Sequence, residues 1–281
     1  MNPKKTFESS DIDAFRPAEK VAVVATVNSD GLPHMTLITS LMASEPGTMT
    51  LGQFCIGRSK WHMQNHPKVA FVILSQDRRM WRGRAMWTHK RTEGPEYEAY
   101  NQMPMFRYNS YFGINTVHYL DLVGCTGPEG LPLARIISAS FLTRVARVGA
   151  GMGGGKRILK PYAEGLFNNM RSLKFLSYVG DDGFPVIIPV IQCQAAGSQR
   201  LVFSSMACGE ELQTVTEGQT VAVFCLTLTM ESVLVRGTFT GFNRHRLAKC
   251  GRVDIEWVYN SMMPCHDQIY PELPLEPVID F

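Results

Sequence analysis

An internal repeat limits what this chain can become more than any other feature. The run Val21-Ala-Val-Val-Ala-Thr-Val27 is β-type, breaks at Asn28-Ser-Asp-Gly31 and resumes as Leu32-Pro-His-Met-Thr-Leu-Ile38. An Asp-Gly turn between two β-type runs predicts a hairpin. The same grammar returns at Leu173–Val179, Gly180-Asp-Asp-Gly183 and Phe184–Val190, with Asp30 and Asp182 152 residues apart. Val69-Ala70 and Val221-Ala222, each inside a β-type run, stand at the same offset, and Arg82-Gly83 matches Arg236-Gly237 at 154. Landmarks in order at nearly constant spacing imply two copies of one β-rich domain.

A chain of 281 residues accommodates two medium domains, and 45% hydrophobic with 19% charged residues marks a globular chain. Each copy reads as a hairpin, a strand, a short helix and two longer strands. In the first, a strand from Met49 to Phe54 precedes a helix from Arg58 that Pro67 closes; in the second, Cys208 to Thr216 is helical in type. With few parallel-crossover signals, a small antiparallel barrel fits best. The first copy carries an insertion, with a helix over Gly94–Asn101 opened by Pro95 and a strand over Thr116–Val123. The expected boundaries are an N-terminal domain at 1–148, a glycine-rich linker and helix at 149–172, and a degenerate second domain at 173–281.

Several familiar patterns lead nowhere. Gly149, Gly151 and Gly154 match a dinucleotide fingerprint between a strand-like run, Phe141 to Val148, and a helix expected from about Lys156 to Arg171. The strand that follows is already committed to a hairpin, and Asp181 stands 27 residues after Gly154 instead of about 20. The segment therefore reads as a flexible linker. A phosphate loop fails because position 150 is alanine and position 157 arginine. A net charge of +3 gives no field that argues for nucleic acid, and the aromatic and basic residues from Trp81 to Tyr111 read as barrel core and rim. No metal site is expected: the seven cysteines lack a CxxC, and His62 and His66 lack a third ligand and read as exposed or capping residues. The first residues show no apolar signal region and no run approaches a membrane span, so a cytoplasmic protein without membrane contact is expected.

Chemistry concentrates at Phe54-Cys-Ile-Gly-Arg-Ser-Lys60, a turn with two cations and a hydroxyl that opens a helix. Free N–H groups and the dipole at a helix N-terminus favour anions, and Arg58, Ser59 and Lys60 add charge-assisted hydrogen bonds. A phosphate cradle and a solvated basic turn are both consistent with this local chemistry.

Taken in order, Asp30-Gly-Leu-Pro-His-Met-Thr-Leu-Ile-Thr-Ser40, Gly57-Arg-Ser-Lys60, Asn65-His-Pro-Lys-Val-Ala-Phe71 and Arg82-Gly83 resemble the FMN-binding split-barrel superfamily, the pyridoxamine 5'-phosphate oxidase-like proteins. The likeness covers residues 18–92 well and 170–242 as a weaker copy. It implies a mainly β fold with short helices (α+β), built as two tandem antiparallel split β-barrels, and one flavin mononucleotide (FMN) on the first. Arg58, Ser59 and Lys60 would hold the phosphate. Thr36, Ile38, Thr39 and Ser40 would lie along the ring, with Gln53 and Phe54 adding contacts. Arg-Ser-Lys stands where the oxidases usually have Ser-Arg-Lys. The second copy has Glu210 and Glu211 and no cation at this turn, so one site per chain is expected, with the second barrel as a built-in partner and pairing of whole chains left open.

The resemblance implies a flavin-dependent oxidoreductase acting on a small molecule, in which the cofactor supplies the reactive chemistry and no acid, base or nucleophile need be visible. His34 and Arg82 are candidates for facing the substrate. The alternatives are a non-catalytic flavin- or haem-binding barrel and a barrel that holds a deazaflavin. No counterpart of the oxidase's C-terminal substrate segment is evident in Tyr270-Pro-Glu-Leu-Pro-Leu-Glu-Pro277.

Overall fold

The computed structural model describes residues 3–55, 57–104, 113–151, 154–245, 248–260 and 267–274. The first sheet is built from Val21–Val27 (β1), Pro33–Leu37 (β2), Met42–Glu45 (β3), Thr48–Gln53 (β4), Lys68–Leu74 (β5), Arg79–Arg91 (β6) and Thr116–Gly130 (β7). Runs rich in Val, Ile, Phe and Thr favour these strands because branched and aromatic side chains pack well on a pleated surface. The order is β2-β1-β5-β6-β7-β4-β3, with antiparallel neighbours. Its core gathers Val24, Val69, Phe71, Ile73, Trp81 and Leu120, and two helices complete it: Ser9–Phe15 (α1) contributes Phe15 and Arg58–Asn65 (α2) contributes Met63.

The second sheet comprises Leu173–Val179 (β8), Pro185–Pro189 (β9), Gln194–Ala195 (β10), Arg200–Ser204 (β11), Thr220–Leu226 (β12), Ser232–His245 (β13) and Ala248–Asn260 (β14), with Asp267–Tyr270 (β15) added on β14. Its order, read from the β9 edge, is β9-β8-β12-β13-β14-β11-β10, the same permutation as the first sheet. The two expected split barrels are present, one after the other along the chain.

Register sharpens the repeat and corrects one of its landmarks. Ala70 lies opposite Arg84 and Ala222 opposite Arg236, so the offset of 152 continues through the β-hairpin and Arg84, not Arg82, is the counterpart of Arg236. The match of Arg82-Gly83 to Arg236-Gly237 at 154 is thus two residues out of register. Leu51 pairs with His118 and Phe203 with Gly251, which lowers the offset on the last long strand to 133. The difference, 19 residues, is the insertion between β6 and β7, and it contains the expected helix as Pro95–Gln102 (α3).

The strand-like run from Phe141 to Val148 is mostly helix instead, part of Leu133–Arg147 (α4). Thr143, Val145 and Val148 imitate a strand locally, but the buried positions Ile136, Ala139, Ser140, Thr143 and Ala146 repeat at the helical period, and burial of that stripe decides the outcome. Gly149, Gly154 and Gly155 adopt positive φ, which assigns these glycines to chain reversal. The helix that follows is shorter than expected, Pro161–Asn168 (α5). The helical stretch of the second copy shrinks to Gly209–Leu212 (α6).

The chain divides into two compact units, Met1–Leu131 with Val179–Ile187, and Pro132–Tyr178 with Ile188–Phe281. Among the described residues no helix is long and apolar enough to cross a membrane.

Candidate functional site

The basic turn forms a corner of the first sheet where β2, the end of β4 and the start of α2 meet. Gly57 occupies the N-cap of α2 in extended conformation, offers no side chain to cap the helix, and is followed by no acidic residue in the first turn. Lys60, one turn in, is only 8% exposed, and its Nζ folds back to within 3.7 Å of where a Cβ on Gly57 would stand. Burial pushes this ammonium below the usual lysine range, with nearby Cys55 acting weakly in the other direction. Among the described residues Nζ has neither an ion-pair nor a hydrogen-bond partner. A buried charge without a counter-charge is costly to hold, and beside an uncapped helix N-terminus the deficit is specifically one of negative charge. A phosphate monoester fits that deficit.

The other residues expected at the site take several different places. Ser59 is buried and shares a 2.6 Å hydrogen bond with Thr36, which brings a hydroxyl of β2 onto the same corner; Arg58 is exposed. Ile38 and Ser40 turn inward: Ile38 joins the core, and the Ser40 hydroxyl donates to the Gly52 carbonyl at 2.8 Å and accepts from the Gly52 N–H at 3.1 Å. The Thr39 carbonyl accepts from Lys20 Nζ at 2.9 Å, a half-buried hydroxyl left on its side chain. Phe54 is 36% exposed beside the turn.

Gln53 belongs to a hydrogen-bond chain that the sequence did not reveal. Trp87 Nε1–H donates to His118 Nδ1 at 3.1 Å, and His118 Nε2 lies 2.9 Å from Gln53 Oε1. Gln53 Nε2 donates to Asn115 Oδ1 at 3.3 Å, and Asn115 Nδ2 donates to the Phe54 carbonyl at 3.1 Å. An indole N–H only donates and a carbonyl only accepts, so every link between them has one polarity. His118 must therefore be neutral with its proton on Nε2. Burial pushes its pKa down from 6.5 to about 4, aided by the charges of Lys60 and Lys90. The clue in the sequence was a histidine inside the apolar alternation of Thr116-Val-His-Tyr-Leu120, at a position where strand pleating points the side chain inward.

His34, expected to face a substrate, is 2% exposed and packs edge-to-face on His62, with ring centroids 5.0 Å apart. His62 is buried as well, with Nδ1 3.2 Å from Thr26 Oγ1, so it is neither exposed nor capping; His66 holds the C-cap of α2. Arg82 pairs with Glu129 across β6 and β7 at 2.9 Å. No cluster of metal-ligating groups occurs among the described residues. Trp81 and Tyr100 are core residues, whereas Phe106, Arg107, Tyr108 and Tyr111 lie outside the described residues, as does Cys265. Tyr100 docks the insertion helix, donating to the Ser40 carbonyl at 2.7 Å and sharing a 3.0 Å hydrogen bond with Thr50. A cavity of about 290 Å³ lies beside it, walled by Ile12, Met42, Glu96 and Met103 among others.

The second copy keeps the scaffold and loses the corner. At the common offsets, Arg58 becomes Glu210, Lys60 becomes Leu212, His118 becomes Gly251 and Trp87 becomes Phe239. The place of the polar chain is taken by Phe203, Phe239 and Phe242, whose ring centroids lie 5.2 to 6.1 Å apart. A Cβ on Gly251 would sit 2.6 Å from the Phe203 ring, so these aromatics occupy the vacated space. Even the support beneath α2 has its counterpart, since Tyr178 and Thr214 share a 2.6 Å hydrogen bond where Thr26 and His62 do in the first copy.

The fold is an antiparallel split β-barrel, present twice along the chain with one strand order. Several similar solved structures each cover less than half of the chain. Group A Streptococcus HupZ is 18% identical over 42% of this chain and 91% of its own, with a TM-score of 0.36. An FMN-binding protein from Syntrophomonas wolfei is 16% identical over 42% and 80%, TM-score 0.36. An F420 reductase is 12% identical over 43% and 98%, TM-score 0.34. No protein-family profile matches the sequence, and no curated protein does.

Proposed function

We propose that the first barrel binds FMN and that the protein is a flavin-dependent oxidoreductase acting on a small molecule. The observation that carries this reading is the buried Lys60 ammonium, which has no counter-charge among the described residues and stands at an uncapped helix N-terminus. In this reading Lys60 and Arg58 neutralise the phosphate, and the Ser59 and Thr36 hydroxyls turn from each other to donate to its oxygens. The ring lies along 36–41, held by backbone groups more than by Ile38 and Ser40, whose side chains are engaged within the barrel. Gln53 and Phe54 border it from β4. Bound flavin supplies hydride or electron transfer, and this chain binds, orients and excludes water. His34 and Arg82 are assigned no substrate contact, since both are engaged with protein groups.

The test is a purified double variant, Arg58→Ala with Lys60→Ala. Wild type should carry a two-band flavin spectrum and the variant should lose it while keeping its far-ultraviolet circular dichroism. Full flavin stoichiometry in the variant would refute the cradle; a Soret band in wild type would replace flavin with haem.

A further inference from the structure

The hydrogen-bond chain behind Gln53 does more than fill the barrel. We infer that His118 is a positioning residue that fixes the side-chain amide of Gln53 so that its NH2 group, not its oxygen, is offered at the flavin corner. The inference rests on the functional reading above for the identity of the ligand, but its geometry stands alone.

The polarity of the chain is set from the core outward. Trp87, held on β6, has one N–H and no acceptor, so the ring nitrogen it meets is bare. His118 is 1% exposed and its remaining nitrogen carries the proton, which claims Gln53 Oε1. With its oxygen taken, Gln53 presents only donors to the outside: one N–H goes to Asn115 Oδ1, and the second has no partner among the described residues. A ligand atom meeting Gln53 must then be an acceptor, such as a ring carbonyl or an unprotonated ring nitrogen. Without His118 only the longer 3.3 Å hydrogen bond to Asn115 sets the amide's orientation, and a half-turn that offers the oxygen costs less.

The charges around His118 support this assignment. Lys60 reaches it from α2 and Lys90 from β6, and both disfavour a second proton on the ring. Protonation would set the new Nδ1–H against the Trp87 N–H, two donors face to face, so the neutral ring is the form this packing accepts. The second barrel supplies the contrast, because it has lost the cationic corner and the histidine together, with Gly251 and Phe239 in the two ring positions.

The direct readout is the tautomer. In nitrogen-15 spectra of the unliganded protein at neutral pH, His118 should show a protonated Nε2 and a bare Nδ1. The functional readout is a double-variant cycle with FMN, followed by quenching of flavin fluorescence. His118→Phe and Gln53→Ala should each weaken binding by about tenfold, the scale of one hydrogen bond, and the combined variant should bind within about twofold of Gln53→Ala alone. Trp87→Phe takes the place of His118→Phe in the cycle if the latter does not fold. Additive losses would make His118 a structural residue only, and a protonated Nδ1 would invert the chain; either overturns the inference. If wild type binds no FMN, the functional reading falls by itself, and the tautomer still decides the positioning role.

Discussion

Acid should weaken the first barrel through one identifiable group. His118 is neutral when folded, with its pKa lowered from 6.5 to about 4, so an unfolded chain binds more protons than the folded one between those values. The sign follows: the contribution of His118 is complete above about pH 6.5 and is lost as pH falls towards 4. At about 1.4 kcal/mol per pKa unit, the loss is about 1.4 kcal/mol by pH 5.5, about 2.5 by pH 4.5 and about 3.5 once both states are protonated. The perturbation is His118→Gln, which keeps an acceptor and a donor on one side chain but does not titrate. Urea unfolding at pH 7.5, 5.5 and 4.5 measures the effect, and tryptophan fluorescence reports mainly the first barrel because Trp61, Trp81 and Trp87 lie there and only Trp257 in the second. Carboxylates titrate in both proteins and cancel in the difference. Wild type should lose about 2.5 kcal/mol more than His118→Gln between pH 7.5 and 4.5. Parallel losses in the two proteins would show that His118 is not held neutral, and with that the polarity assigned to the whole chain would fail.

Other outcomes follow from the same geometry. Lys60→Met should stabilise the unliganded protein by about 1–3 kcal/mol, read as a raised urea midpoint, because an apolar side chain replaces a buried uncompensated cation; an unchanged or lowered midpoint would mean that the ammonium is already satisfied. Gly83→Ala should destabilise the first barrel by about 2 kcal/mol or more, since the new Cβ would stand 2.4 Å from the Phe71 ring and 2.6 Å from the Gly124 carbonyl, and a thermal midpoint within a degree of wild type would contradict that packing. Tyr100→Phe should cost about 1–3 kcal/mol by leaving the Ser40 carbonyl without its donor and the Thr50 hydroxyl without its acceptor, which chemical denaturation would read.

The scaffold was legible because its signals are local and repeated. Asp-Gly turns, branched runs and the proline after α2 each fix a few residues, and duplication supplied a second witness for the turns and the runs. Arg82-Gly83 misled because two residues of slippage in a sequence match cost nothing, whereas in a hairpin the same slippage changes every cross-strand partner. α4 was missed at its end because β-branched residues there obscured a buried stripe that becomes evident only over the whole helix. At the site, the cationic turn was visible because charge stands out in sequence. The partners that matter to Gln53 were not: Trp87, His118 and Asn115 come from strands and an insertion 34 to 65 residues away, and only the fold brings them into one chain of donors. His34 and His62 looked accessible because polarity was read as exposure, while in the structure each occupies interior space beside the other.

The divergence of the two corners makes the protein's resilience lopsided. An anion captured at Lys60 stabilises only the folded form of the half that captures it, in proportion to the logarithm of its concentration. The other half, with Leu212 and three phenylalanines in the corresponding places, has no such dependence. Depletion of such a ligand would therefore lower the stability of one part of the chain and leave its sibling as robust as before.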